Sequence, residues 1–432
     1  MFASNCLSVN QAGHLSIGGA DSVVLARTWG TPLYVMDELS IRDAVRQYKN
    51  SIERFYEGHG QVAYAGKAFS CKEMYRIMQE EDCAVDTVSQ GELFTALSVG
   101  FPSQNIYYHG NNKTPAELVY AVQHDVGRIV VDNTAELETL SSIAISQHKT
   151  VSILLRIKPG IDAHTHDFIR TGQIDSKFGF ALETGEALDA ARYAQTHRGL
   201  SLVGIHCHIG SQIFEIDPFV LAAQVMIGFM AEVRRETGCQ LTELNLGGGF
   251  GIKYTSDHDP VPYMDYMESV SKVVHSTCDS LKVPYPFIVI EPGRSVVGPA
   301  GITLYTVGGI TEIPGVRTYI SIDGGMTDNP RYILYHSQYE ALIANRSSEV
   351  KSSVVTIAGR NCESGDLIGE EVPIQTPHVG DTLAVLATGA YNYSMASNYN
   401  RVPRAACVMI RDGEAHLIIR RESMEDLVHN DL

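Results

Sequence analysis

Three short segments of this chain hold residues that could run amine chemistry on an aldehyde cofactor. Gln61-Val-Ala-Tyr-Ala-Gly-Lys67 closes an apolar run on a lysine, Gly247-Gly-Gly-Phe-Gly251 is a glycine run, and Glu291-Pro-Gly-Arg294 joins an acid to a guanidinium. A partly desolvated amine loses its proton more easily and attacks an aldehyde. A backbone without Cβ atoms approaches a phosphate closely and offers it N–H groups. A carboxylate beside a pyridine keeps its nitrogen protonated, so that the ring can accept electrons. Each piece alone is weak. A lysine at a strand end is most often a solvated charge, a glycine run is often only a tight turn, and the acid and arginine could be a local ion pair. The glycines match neither the dinucleotide fingerprint nor the P-loop. Taken jointly, the three name pyridoxal 5'-phosphate as the cofactor.

Other segments add to the set. His206-Cys-His208-Ile-Gly-Ser211-Gln places two histidines two apart, on one face of a strand. Zinc needs further ligands and no third one stands at suitable spacing, so no metal is expected. Beside a cofactor, His208 could lie flat against the pyridine ring and Ser211 could bind its phosphate. Cys362-Glu-Ser-Gly-Asp366 is flanked by Arg360 and Asn361. Most lone cysteines are inert small hydrophobes, but this polar setting suits an exposed, reactive thiol. The loop-like stretches Asp323-Gly-Gly-Met-Thr-Asp-Asn-Pro-Arg331 and Gly389-Ala-Tyr391-Asn-Tyr393 could be ordinary turns or part of a site.

The elements that must position these residues read as an α/β barrel. Short β-like runs at 61–66, 83–88, 105–109, 127–132, 151–157, 202–208, 241–246 and 287–291 alternate with helix-like stretches such as Pro115–His124, Thr134–His148 and Pro218–Thr237. Continuous apolar runs such as Phe287-Ile-Val-Ile290 fit parallel strands buried on both faces. This pattern predicts a TIM (β/α)8 barrel over residues 37–292, with Asp37–Tyr56 as a helix outside it. Lys67, Asp86, Ser89, His109, Arg156, Lys158, His208, the glycine run and Glu291 all fall at carboxyl ends of strands, which gathers them in one mouth.

After residue 293, strand-like runs at 302–313, 317–322, 353–358, 382–387, 404–410 and 415–420 recur without long helices. Turn signals such as Asp323-Gly-Gly and Asp412-Gly separate them. Residues 293–432 therefore read as an antiparallel β domain, to which residues 1–36 return. The stretch 160–175, with His164, His166 and Arg170, is long and polar enough to suit a lid.

Bulk properties narrow the partners. The 432 residues are 44% hydrophobic and 19% charged, with 50 acidic against 33 basic side chains and a formal charge of −17. No basic stripe offsets that charge, which argues against nucleic acid and anionic membranes. Eight scattered cysteines lack framework spacing, and the start shows no leader pattern. The expectation is a cytoplasmic protein.

Taken in order, Tyr64-Ala-Gly-Lys67-Ala, His206 to Gln212, Gly247 to Gly251, Glu291 to Arg294, Asn329-Pro-Arg331, Cys362 to Asp366 and Gly389-Ala-Tyr391 resemble the diaminopimelate decarboxylases, in the alanine-racemase-like branch (fold type III) of pyridoxal-phosphate decarboxylases. The likeness runs from about residue 30 to 410. It implies decarboxylation of meso-2,6-diaminopimelate to L-lysine, and a head-to-tail homodimer with shared active sites. Lys67 looks like the cofactor lysine and His208 like the ring-stacking histidine. Asp86, Ser211, Gly248, Gly249, Glu291, Gly293, Arg294 and Tyr391 look like cofactor contacts. Arg294, Arg331, Tyr335, Glu363 and Tyr391 look like substrate contacts, and Cys362 like the proton donor reaching in from the partner. Phe69 and Gln90 depart from the wider group, away from the chemistry. The competing readings are a decarboxylase of ornithine, arginine or a carboxylated polyamine, an amino-acid racemase, and a non-catalytic relative that binds the cofactor.

Overall fold

The computed structural model describes residue 2 and residues 4–161 and 176–432. Residues 162–175, the greater part of the expected lid, lie outside the described residues. The chain divides into two compact units, one of residues 44–251 and 260–293, the other of residues 1–43, 252–259 and 294–432.

The first unit is a closed barrel of eight parallel strands: β1 (Gly60–Ala65), β2 (Ala84–Thr87), β3 (Ile106–Tyr108), β4 (Arg128–Val131), β5 (Val151–Lys158), β6 (Leu200–His206), β7 (Glu243–Asn245) and β8 (Phe287–Ile290). Each strand pairs with the next, and β8 returns to β1 with Ile288 opposite Gly60. The eight expected strands are all present. Ala63, Ala84, Tyr107, Val130, Leu154 and Val289 form a buried cluster.

At the amino ends of the strands a polar knot is fully paired. Gln61 Nε2 donates to the Tyr107 hydroxyl (2.7 Å), and that hydroxyl donates to Glu243 (2.7 Å). Arg128 Nε completes it at 2.9 Å from the same carboxylate. That end is committed to stability, which leaves the opposite end for chemistry.

Local signals explain the helix ends. Thr114 and Glu117 form a capping box ahead of Pro115–Gln123, with the proline in the first turn, where its missing N–H costs nothing. Asp217–Thr237 stops at Gly238, whose φ of 73° is the left-handed cap that glycine adopts most cheaply. Among the described residues, no helix is long and apolar enough to cross a membrane.

The second unit is built on a nine-stranded sheet in which antiparallel pairing predominates. Leu33–Asp37 pairs antiparallel with Gly301–Ile313 and parallel with Ala406–Arg411, so the amino-terminal segment does return to this sheet. Arg317–Ile322 also pairs in parallel, with Ser353–Ala358. Two strands of this sheet escape the sequence pattern, the short Ala341–Ile343 and Leu367–Ile374. Leu367–Ile374 forms the edge of the sheet although it contains Gly369, Glu370, Glu371 and Pro373. An edge position tolerates the proline that a central strand would reject.

Candidate active site

Lys67 lies in the single turn Gly66–Ala68 that follows β1, exposed between two buried neighbours. The turn after β8 packs directly against it. A Cβ on Gly293 would stand 2.9 Å from Ala65 Cβ and 3.1 Å from Ala68 Cβ, so only glycine lets the two turns meet. Ala65 N–H donates to Pro292 O at 3.2 Å, fixing that approach. The Lys67 and Glu291 segments are therefore neighbours by backbone design.

Glu291 is buried at the end of β8 and drawn into a cluster. Asn245 Nδ2 donates to Oε1 at 2.7 Å, His109 Nε2 stands 2.8 Å from Oε1, and His206 Nε2 stands 3.1 Å from Oε2. Burial works to raise the pKa of this carboxyl, but His109 and His206 outweigh it and hold the group well below the usual carboxylate range. Asp86, buried at the end of β2, is pushed up by burial against the opposing pull of His109. The fold gathers His206 with His109 and Glu291, while His208, its neighbour in the sequence pair, stands outside that cluster. Ligand atoms of His109, His206 and Glu291 lie within 4.8 Å of one another, which could hold an ion. Asn245 and His206 hydrogen-bond the two carboxylate oxygens, while His109 Nε2, buried 2.8 Å from Oε1, lies outside hydrogen-bond geometry.

His208 follows β6. Burial, then the charges of Lys67 and Arg156, hold its pKa well below the ordinary histidine value, so its ring is neutral. Its Nδ1 accepts the Gly248 N–H at 3.2 Å. That N–H, expected at a phosphate, is therefore spent on orienting the imidazole. Gly248 is glycine for a further reason: a Cβ there would stand 2.1 Å from Glu291 O. Gly249 has φ of +116°, a conformation open to glycine, and no hydrogen bond among the described residues takes up its N–H. Ser211 is half-buried beyond the same strand.

The other unit brings together the remaining expected residues. Arg294 and Arg331 are both buried. Tyr391 lies beneath both guanidinium groups, 4.8 Å from Arg294 and 5.1 Å from Arg331, and Tyr335 lies 5.2 Å from Arg331. Tyr391 holds φ of 69°, uncommon for a bulky residue and typical of backbone fixed for a site. Arg294 donates to the Tyr254 hydroxyl at 2.5 Å, a partner the sequence pattern did not flag.

Arg331 bonds Ser337 Oγ at 3.3 Å, while its Nε is buried without a hydrogen bond. Among the described residues, no carboxylate stands within ion-pair distance of Arg331. Cys362 is free and exposed. Its loop is organised by Asp366, which accepts the Asn361 and Met326 N–H groups at 2.7 and 2.6 Å, while Cys362 N–H donates to Asn400. Glu363 beside it is exposed.

The barrel mouth suits a flat basic ring with an aldehyde. It offers an ionised buried acid, a neutral imidazole and an exposed amine. Asp86 Oδ1 and His206 Nδ1 are buried without hydrogen-bond partners in the protein, as in a site built for a further group. Fold and mouth together define the class, a pyridoxal-phosphate barrel enzyme. In agreement, residues 39–298 match the family model "Pyridoxal-dependent decarboxylase, pyridoxal binding domain".

Diaminopimelate decarboxylase of Bacillus subtilis (strain 168) is 47% identical over 433 residues, covering 100% of this chain and 98% of that protein. The crystal structure of diaminopimelate decarboxylase from M. jannaschii in complex with L-lysine superposes with a TM-score of 0.91 at 34% identity, covering 100% and 99% of the two chains. The enzyme from Helicobacter pylori, also complexed with L-lysine, gives 0.86 at 29% identity, covering 95% and 98%. The chain belongs to the diaminopimelate decarboxylase family of pyridoxal-dependent decarboxylases.

Proposed function

We propose that this protein removes CO2 from one end of meso-2,6-diaminopimelate and releases L-lysine, the last step of bacterial lysine biosynthesis. The observation that carries this choice of substrate is Arg331, a buried guanidinium with an unsatisfied Nε and, among the described residues, no acid to neutralise it. Diaminopimelate carries an amino acid group at each end. The end that does not react needs a cation for its carboxylate and an anion for its ammonium, and Arg331 with Glu363 offers that pair. A diamine-forming decarboxylase would need acids alone at the distal end.

The residues fit pyridoxal 5'-phosphate, which when bound supplies an electron-accepting ring conjugated to the substrate α-carbon. Lys67 would tether it by its amine, Glu291 would face the ring nitrogen, and His208 would lie against the ring. Asp86, Ser211, Gly248, Gly249, Gly293, Arg294 and Tyr391 would complete its surroundings. Arg294, Arg331, Tyr335, Glu363 and Tyr391 hold the substrate. Cys362 returns a proton from Sγ to the α-carbon after CO2 has left.

Residues 37–292 form the cofactor-binding domain in this reading, while residues 1–36 and 293–432 contribute substrate-binding residues and the thiol. Two copies pair head-to-tail, so that Cys362 of one serves Lys67 of the other, and the enzyme works in the cytoplasm. Turnover of a substrate panel tests the assignment. Equimolar CO2 and L-lysine should form from meso-diaminopimelate, with little CO2 from ornithine, arginine or a carboxylated polyamine. Preference for ornithine would refute it.

A further inference from the structure

We propose that His109 and His206 are positioning residues that fix the charge and aim of Glu291 toward the cofactor ring. The inference rests on the reading, given above, that Glu291 faces the ring nitrogen. A carboxyl as buried as Glu291 would ordinarily take up a proton, because burial penalises the charged form. A protonated acid cannot keep a proton on a neighbouring pyridine. Something must hold the carboxylate ionised out of contact with water, and the fold brings it hydrogen bonds from His206 and Asn245 and a third group, the His109 ring, close to Oε1 but outside hydrogen-bond geometry.

His109 follows β3 and reaches Oε1 at 2.8 Å, His206 ends β6 and reaches Oε2 at 3.1 Å, and Asn245 ends β7 and reaches Oε1 at 2.7 Å. Both oxygens are engaged, so the plane of the carboxylate is fixed. The two imidazole rings also meet edge to face at 4.7 Å and brace one another.

The neighbourhood sets the charge balance. Burial takes the pKa of His206 down to about 4, so His206 is a neutral donor. Asp86 Oδ1 lies 3.8 Å from His109 Nε2 at the end of β2, and burial pushes that acid up. Arg156 on β5 and Lys67 after β1 supply positive charge, and His208 after β6 is neutral. A neutral donor such as His206 serves better here than a permanent cation. A guanidinium or ammonium beside Glu291 would compete with the ring for its charge, whereas an imidazole N–H stabilises the anion and leaves its net charge available.

The test is made on the holoenzyme with isotope-labelled cofactor, reading ring-nitrogen protonation by NMR across pH, with kcat and KM beside it. His206→Gln keeps a neutral N–H donor and His109→Gln keeps a polar amide beside Oε1, and ring protonation should hold. His206→Leu removes the donor and His109→Leu removes the polar ring beside Oε1. The ring proton should then be lost at a pH about one unit lower, and kcat should fall by about tenfold or more with KM little changed. Should a leucine variant not fold, His206→Asn, whose amide is too short to reach Glu291, takes its place.

Full ring protonation in the leucine or asparagine variants, with loss of thermal stability alone, would make these histidines merely structural and overturn the inference. Glu291→Gln separates the two levels. A ring that stays protonated there overturns the reading of Glu291 and the inference with it. Loss of the ring proton in Glu291→Gln alone removes only the role of the histidines.

Discussion

At the residue scale, function is divided between groups that react and groups that set their charge. Cys362 is exposed, so its substitution should leave the fold intact. Cys362→Ala is expected to slow kcat by about a hundredfold or more while the bound-cofactor absorbance persists, because only the proposed proton return would be lost. Steady-state kinetics beside a visible spectrum decide it. Arg331→Met should instead act on the distal carboxylate and raise KM for diaminopimelate by about tenfold or more, through loss of a charge-assisted hydrogen bond. The placement of Lys67, His208 and Glu291 was legible in the sequence, since each closes a strand and the barrel rule gathers strand ends. What was not legible is that His109 and His206 reach Glu291, or that Arg294 reaches Tyr254. Those contacts depend on side-chain reach between distant segments, and no local pattern encodes that.

At the element scale, the strands are held by turns with little room for change. Gly248→Ala would push a Cβ to 2.1 Å from Glu291 O, displacing backbone at the end of β8. A loss of about 1–3 kcal/mol is expected, with weakened cofactor retention, read by thermal melting and equilibrium dialysis. Lys113 forms a buried ion pair with Glu136 at 2.7 Å and donates to Gly110 O and Val130 O, so it ties the loop that follows His109 to β4. Lys113→Met leaves Glu136 buried without its partner, and about 3–5 kcal/mol should disappear from the unfolding free energy. Barrel strands such as Phe287–Ile290 were readable because strands buried on both faces are continuous apolar runs, and short polar ones such as Glu243–Asn245 from their place in the alternation. Leu367–Ile374 was not, because its pairing with Ser353–Ala358 overrides a poor intrinsic preference at Gly369 and Pro373.

At the scale of the whole molecule, acid sensitivity follows from the neutral histidine in the barrel. Below about pH 6.5 the unfolded chain protonates His206, while the folded chain refuses that proton until about pH 4, so stability falls as pH drops through this window. The refusal is worth roughly 3 kcal/mol. Glu291 acts in the same direction, since its depressed pKa contributes stability above the unfolded value that is lost on acidification. Melting temperatures of the apoenzyme should therefore decline from neutral pH toward pH 4, and His206→Gln should flatten the slope. The proposed sharing of sites between copies has its own signature. Mixing inactive Lys67→Ala and Cys362→Ala proteins should restore about a quarter of the activity, because mixed dimers carry one intact site. The catalytic outcomes presuppose a cofactor tethered at the end of β1. Borohydride reduction of the holoenzyme followed by peptide mass mapping tests that tether most directly. The account predicts one cofactor mass per chain, on the peptide containing Lys67, whereas a label on another lysine, or none at all, would contradict it.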